Sequence, residues 1–391
     1  MNKLAMLWHY FRVKRLRFQN RAALERYQQK QLGRFAARVL AKSPWFRRYR
    51  TLPFGEWPLM DKALMMAHFD EMNTGGLKAA DVMACALKSE NDRNFTPTVG
   101  RYSVGLSSGT SGRRGIFAVS PQEQALWAGA MLAKMLPDGL FAGERVALFL
   151  RADNNLYQSV NSRWLSLGFY DLFEPFDALL TRLEAESPSI IVAPAQVLRA
   201  LALAVQAGAL KIAPKKVISV AEVLDAQDSA LLKSIFPDVG EVYQATEGFL
   251  AATCSHGVLH LNEAFIHVEK EWLDARRFVP VITDFTRTTQ PIVRYRLDDV
   301  LAVRDTPCAC GDPSLALAHI EGATGRSTPV AGRAGRRAGH LWRSLQPRAG
   351  ARSALHGGLP ANSARRGAPD AYRRGRRRTA RAGAGRANGA F

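Results

Sequence analysis

The order of apolar segments predicts an α/β protein with a largely parallel sheet, followed by a β-rich subdomain. Three observations carry this. Arg145-Val-Ala-Leu-Phe-Leu150, Ser189-Ile-Ile-Val192, Lys216-Val-Ile-Ser-Val220 and Glu241-Val-Tyr243 read as buried strands, with helices expected over 195–207 and from Asp225 to Phe236. Strands alternating with helices at this spacing fold as parallel βαβ units. From about 258 to 304 the pattern changes to short strands and turns. The length of 391 residues, with 47% apolar and 23% charged residues, leaves room for a large core.

From the N-terminus, Trp8, Phe11, Leu16, Phe18, Leu24, Tyr27 and Leu32 recur at helical spacing among Arg12, Lys14, Arg15, Arg17 and Arg21, so residues 8–40 read as helical. A basic amphipathic helix either lies on an anionic membrane surface or is a surface helix with a solvated charged face, and the second is the expectation. Residues 41–100 read as helix and loop punctuated by Pro44, Pro53 and Pro58. Tyr102–Leu106 and Ile116–Val119 read as two short strands around a polar loop. Ser120-Pro-Gln-Glu123 is a capping box with proline at the first helical position, and its helix should reach about Leu136.

No run of 18 apolar residues exists, so no spanning segment is expected; Ile190 to Ile212 is broken by Pro194 and Arg199. Met1–Trp8 is too short and too soon basic for a secretory signal. Four cysteines make no disulfide framework, and a reducing cytoplasm is the expected location. The net charge of +20 suggests nucleic acid until it is located. Residues 326–391 hold 16 arginines, no lysine and one acid, Asp370, for +15, which leaves +5 on the rest. No specific nucleic-acid partner is expected of the nearly balanced body.

Four stretches carry chemistry. Ser107-Ser108-Gly109-Thr110-Ser111-Gly112-Arg113-Arg114-Gly115 has no apolar member. Its glycines permit close backbone approach, its successive N–H groups and hydroxyls suit an anion, and its arginines suit phosphate. A phosphate-binding loop and a flexible polar hairpin both fit; the nucleoside-triphosphatase loop does not, because the Gly-Lys-Ser/Thr ending is missing. Tyr243-Gln244-Ala245-Thr246-Glu247-Gly248 leaves a strand end, where a hydroxyl beside a carboxylate can hold a phosphate oxygen and Mg²⁺. In Arg294-Tyr-Arg296-Leu-Asp298-Asp299, a carboxylate for ribose hydroxyls and an ion-paired turn fit equally. Cys254, Cys308 and Cys310, with His256 or His260, can form a Cys₃His zinc site or remain free thiols; Cys85 lies outside the pattern.

The order and spacing of the first three stretches resemble the adenylate-forming ligases. The branch resembled includes phenylacetate–coenzyme A ligase, the CapK-like proteins and the deazaflavin-coenzyme adenylylating synthetases. Trp57-Pro-Leu-Met-Asp-Lys62 and Phe69-Asp-Glu-Met-Asn-Thr74 also look like that branch, and the resemblance covers residues 1–322. It implies a large ligase domain of mixed parallel sheets with a helical N-terminal part, 1–100, and an ATP-binding core, 101–322. The implied reaction is activation of a carboxylic acid with Mg-ATP to an acyl-adenylate, then transfer to coenzyme A or another acceptor thiol. In the deazaflavin enzymes, AMP itself is transferred.

By position, Ser107, Ser108, Gly109, Thr110, Ser111 and Gly112 would clamp the β- and γ-phosphates. Tyr243, next to Gln244, would stack near adenine, and Thr246 would contact the α-phosphate. Glu247 would hold Mg²⁺ and Asp299 would bind ribose. Ser219-Val-Ala221-Glu222 would line the adenine pocket. Relatives carrying Cys-x₅-His and Cys-x-Cys-Gly make His260, rather than His256, the fourth ligand of a structural zinc with Cys254, Cys308 and Cys310. A homodimer fits the resemblance.

After Gly322 the chain departs from the family. An Ile-x-Gly-Arg-x-Asp-Asp hinge and a small lid domain are expected there; Ile320-Glu-Gly322 begins the hinge and Ala323-Thr324 does not continue it. Residues 326–391 lack isoleucine, methionine, cysteine, lysine and glutamate and show no periodicity. A disordered tail, 323–391, is expected in place of the lid. It looks like coding DNA read in the wrong frame: Gly325–Gly332 admits codons that, one base later, give Asp-Asp-Pro-Leu-Leu-Trp-Leu. A true basic tail for nucleic acid is the other reading. The family's lid supplies a lysine to the reacting centre, whereas this chain has none after Lys270. An impaired ligase is therefore expected; the alternatives are a non-catalytic nucleotide binder, adenylyl transfer to a deazaflavin-type cofactor, and nucleic-acid binding through the tail.

Overall fold

A computed structural model describes residues 2–92, 96–107, 114–151 and 161–323. All of these residues lie in one compact unit. Of the tail expected at 323–391, Ala323 ends a strand instead, and 324–391 lie outside the described residues, as do the loop residues Ser108 to Arg113.

The N-terminal helices are α1 (Lys3–Arg15) and α2 (Arg21–Arg38), not one continuous helical stretch. The break has a local cause. Asn20 sits in extended backbone and its side chain accepts from Ala23 N–H at 3.0 Å, which caps a new helix start. Asn2 does the same for α1. Short helices α3 (Lys62–Ala67) and α4 (Phe69–Met72) and the longer α5 (Ala79–Asn91) follow. Strands β1 (Thr98–Val99), β2 (Tyr102–Leu106) and β3 (Ile116–Val119) form a small antiparallel sheet. The capping box is formed at the start of α6 (Pro121–Met135). Gly129 on α6 lets α1 cross closely: a Cβ there would stand 2.6 Å from the Met6 carbonyl oxygen and 2.8 Å from Tyr10 N.

The large sheet has a parallel half and an antiparallel half. Its parallel strands are β4 (Glu144–Leu150), β5 (Leu165–Asp171), β6 (Ile190–Ala193), β7 (Lys216–Ser219) and β8 (Val239–Ala245), ordered β5-β4-β6-β7-β8. Every residue of β6 and β7 is buried, as expected for strands covered on both faces. Alternation divides their side chains. Val146, Leu148, Ile190, Val192 and Ile218 join the core cluster that includes α1 and α6. Ala147, Phe149, Ile191, Ala193 and Val217 join the cluster under α7 (Phe176–Glu186), α8 (Ala195–Gln206) and α9 (Ala226–Ile235). Asp225 caps α9 by accepting from Asp228 N–H at 2.7 Å.

From β8 the sheet turns antiparallel. It continues through β9 (Gly248–Thr253), β10 (Leu259–Leu261), β15 (Ala316–Ala323), β14 (Asp299–Val303), β12 (Arg277–Asp284) and β11 (Ile266–Trp272), with β13 (Ile292–Arg296) paired to β12. This is the β-rich part read from residues 258–304. The fold is thus mixed α/β. No described helix is long and apolar enough to cross a membrane.

Candidate active site

The C-terminal end of β8 opens into a cleft of about 780 Å³. Ligands of α/β sheets gather at such strand ends. Ser107, Ala221, Glu222, Tyr243, Gln244, Thr246, Glu247 and Asp299 all line it, so stretches far apart in sequence converge on one space. Ser108, Gly109, Thr110, Ser111 and Gly112 lie outside the described residues.

The base of the polar loop is closed by a reciprocal pair. Ser107 N–H donates to Gly115 O at 2.8 Å, and Gly115 N–H donates to Ser107 Oγ at 2.9 Å. Arg114, read as a phosphate cation, is ion-paired instead with Glu90 of α5, with a contact of 2.8 Å from Nη2 to Oε1. Spacing within the loop could not show that partner.

At the other side, the Tyr243 hydroxyl donates to Asp299 Oδ2 at 2.5 Å. Burial raises both groups' pKa; their hydrogen bond offsets part of that for Asp299 and adds to it for Tyr243. Thr246 Oγ1 donates to Glu247 Oε2 at 2.9 Å, and Glu247 is only 8% exposed. Burial, then the neighbouring Glu247 charge, lifts Tyr295 far above its ordinary value. A Cβ on Gly248 would stand 2.6 Å from Asp284 Oδ2, so a larger residue there requires that carboxylate to shift. Burial pushes that Asp284 carboxyl up to about 6. Ala221 takes a left-handed backbone at φ 64°, uncommon outside glycine, where the chain leaves β7 for the cleft. Burial also pushes Glu241, which faces the cleft, up to about 7.

Arg287 carried no motif signal, and for the other residues here the sequence shows the stretch but not the partners. Arg294 Nε and Nη2 hold Glu269, and Nη1 holds the carbonyls of Gly55 and Trp57. Met60 bridges to β13 through Met60 N to Arg294 O and Arg296 N to Met60 O, both 2.8 Å. The Trp57–Lys62 segment is thereby laid along β13 and brings Asp61 and Lys62 into the cleft. Arg296 pairs with Glu271 at 2.6 Å. Arg287 is buried and donates through Nη1 to the Thr246 carbonyl at 2.6 Å. Beside it, Glu123 accepts from the N–H groups of Thr288 and Thr289 at 2.6 and 2.9 Å. The capping box of α6 therefore also holds the 286–290 segment.

Away from the cleft, Cys254, His260, Cys308 and Cys310 place their ligand atoms within 4.8 Å of one another. Cys254 Sγ lies 3.7 Å from Cys308 Sγ, and Cys310 Sγ lies 3.4 Å from His260 Nε2. Tetrahedral zinc with ordinary bond lengths requires about 3.8 Å between sulfurs and about 3.5 Å from sulfur to nitrogen. His260 Nδ1 contacts Ser314 O at 3.0 Å, leaving Nε2 for the thiols. The N–H groups of His256 and Asp312 point at the sulfurs of Cys254 and Cys310. Lys134, whose pKa is lowered by burial, feels the opposing pull of Asp312 and of the Cys254 and Cys310 sulfurs. His256 instead contacts Ser255. These residues fit a zinc ion.

No protein-family model matches the sequence, and no curated protein matches it. Among solved structures the chain is similar to 2-hydroxyisobutyryl-CoA ligase. Against its open conformation in complex with 2-HIB-AMP and CoA, the TM-score is 0.58 at 14% identity, over 77% of this chain and 68% of that chain. Against the thioesterification state, it is 0.57 at 17% identity, over 78% and 68%. Against the postadenylation state with R3-HIB-AMP, it is 0.56 at 16% identity, over 77% and 66%. The chain thus spans about two thirds of the length of those chains, and the likeness is one of fold: this chain carries the adenylate-forming ligase fold.

Proposed function

We propose that the chain is an AMP-forming ligase that activates a carboxylic acid with Mg-ATP to an acyl-adenylate for transfer to coenzyme A or another acceptor. The observation that carries this is the convergence of Ser107, Ala221–Glu222, Tyr243–Glu247 and Asp299 on one strand-end cleft. Their chemistry suits the reaction. In-line displacement at phosphorus needs positioning and charge stabilisation rather than a nucleophilic side chain. Tyr243 presents a ring held in place by Asp299, and the other Asp299 oxygen is left for a sugar hydroxyl. Thr246 and Glu247 offer hard oxygen donors suited to Mg²⁺, which would supply charge neutralisation at the phosphates. The Ser107–Gly115 pair fixes the base of the loop that would meet the β- and γ-phosphates.

A ligase depends on a cation at the reacting centre. Among the described residues lining the cleft, the lysine is Lys62, at the start of α3. Its Cγ would stand 3.5 Å from a Cβ at Gly115, so it lies against the loop base. The second reading, a nucleotide binder without catalysis, is favoured by the absence of any lysine after Lys270. ATP–pyrophosphate exchange across a panel of aliphatic and aryl acids separates the two. A ligase shows acid-dependent exchange that Glu247→Gln lowers by about a hundredfold or more, the scale of one lost charge-stabilising group. Nucleotide binding with no exchange for any acid defeats the ligase reading; exchange indifferent to Glu247→Gln defeats the site assignment. The Cys254, His260, Cys308 and Cys310 cluster is proposed as a structural zinc clip joining the β9–β10 turn to the segment before β15.

A further inference from the structure

The outer face of α1 is apolar where it should be polar. Leu4, Trp8 and Phe11 are 77%, 59% and 40% exposed and stand on one stripe at i, i+4 and i+7. The opposite stripe, Met6, Tyr10 and Val13, is buried. The exposed stripe does not end with the helix. Phe141 stacks on Phe11 with ring centroids 6.3 Å apart, and Trp164 meets Phe141 edge-on at 6.3 Å. Phe141 is 54% and Trp164 40% exposed. The rim is cationic: Arg12 lies 5.1 Å from the Trp8 ring, Arg163 lies 4.5 Å from the Trp164 ring, and Lys3 and Arg15 flank the stripe. No acidic residue precedes Glu25. The acids nearest Phe141 in sequence, Asp138 and Glu144, are both paired with Lys215.

We propose that this face docks on an anionic phospholipid surface. Tryptophan and phenylalanine within a ring of arginine and lysine match the headgroup boundary, where apolar rings sink in and cations meet phosphate. Charge decides against the other occupants. A second copy would set this cationic rim against itself in a two-fold contact. Residues 326–391, at +15, carry the same sign. None of the residues lining the cleft belongs to α1, so docking leaves those residues unused.

Sedimentation of the full chain with phosphatidylcholine vesicles, with and without phosphatidylglycerol, tests this. The arginines of 326–391 add binding of their own, so the readout is a comparison of variants. Trp8→Glu with Phe11→Glu should lower partitioning to phosphatidylglycerol vesicles by roughly tenfold or more, the order expected for two withdrawn aromatic side chains. Trp272→Glu with Leu273→Glu, an exposed apolar pair elsewhere, should not. Arg12→Glu with Arg15→Glu keeps the aromatic stripe and should lower binding to anionic vesicles alone, which covers the case of a misfolded Trp8 variant. Equal loss from the Trp8 and Trp272 pairs overturns the proposal. So does equal binding to neutral vesicles, or a dimer that the Trp8 pair splits in light scattering.

Discussion

Glu123 offers the sharpest test of how this fold holds its cleft. A capping-box glutamate is ordinarily a surface residue with one partner, the N-cap N–H. Here it is buried and accepts from Ser120 N–H at 2.6 Å, from the N–H groups of Thr288 and Thr289, and from the Thr289 hydroxyl. Ser120→Ala removes one capping bond and should cost about 1 kcal/mol. Glu123→Ala leaves four donors without their acceptor, at roughly 1–3 kcal/mol for each that stays dry. It also removes the anion facing Arg287. A loss of roughly 4–6 kcal/mol is expected, several times that of Ser120→Ala. Urea unfolding followed by circular dichroism measures both. Acid should reveal the same group. Burial alone would raise the Glu123 pKa, but Arg287, Ser120 and Thr289 outweigh it and hold it below its ordinary 4.5. Its stabilisation is therefore complete above pH 4.5 and is lost as pH falls through the folded value, so Glu123→Gln should flatten the acid limb of stability. If Glu123→Ala costs no more than Ser120→Ala, the carboxylate is only a cap and does not hold the 286–290 segment.

Gly129→Val should lower the melting temperature strongly, since its Cβ would press within 2.6 Å of the Met6 carbonyl and force α1 off α6 at about 1–3 kcal/mol or more. A variant that melts with the parent would show that the crossing is looser than these distances. Elemental analysis should find about one zinc per chain, and Cys308→Ser should lower both metal content and melting temperature. Metal-free protein of unchanged melting temperature would end the zinc assignment.

Local signals are legible where a side chain acts on its own backbone. The Ser120 box and the Asp225 cap each announce a helix within four residues, and the structure forms both helices. The Asn20 cap is the same kind of signal, but apolar residues recurring on both sides of it masked the break between α1 and α2. β5 and α7 carry no such marks. Gly168 sits inside β5, and α7 begins after Pro175 without a side-chain cap and ends at Ser187 in left-handed backbone. The Tyr243–Gly248 stretch was legible because strand-end chemistry is local. The partners of Arg114, the Glu123 contact across 166 residues and the docking of Trp57–Lys62 on β13 were not. They are set by the tertiary fold, and no spacing rule reaches them.

The charge of the cleft joins these threads. Its described lining holds six carboxyl groups, Asp61, Glu222, Glu241, Glu247, Asp298 and Asp299, of which burial raises the pKa of Glu241 and Asp299. Against them stand Lys62, Arg114 and Arg296; Arg114 is paired with Glu90 and Arg296 with Glu271. A nucleotide triphosphate entering this space meets a negative wall. Coulomb repulsion at a few ångströms costs on the order of 1–4 kcal/mol per pair at protein surfaces. The polyanion can be held only if a divalent cation enters with it and if the loop beyond Ser107 donates its N–H groups. On the proposed reading, the acids that repel the phosphates are the same groups that would make nucleotide binding cation-dependent, and Glu247, buried at the strand end beside Thr246, is the carboxylate proposed to receive that cation.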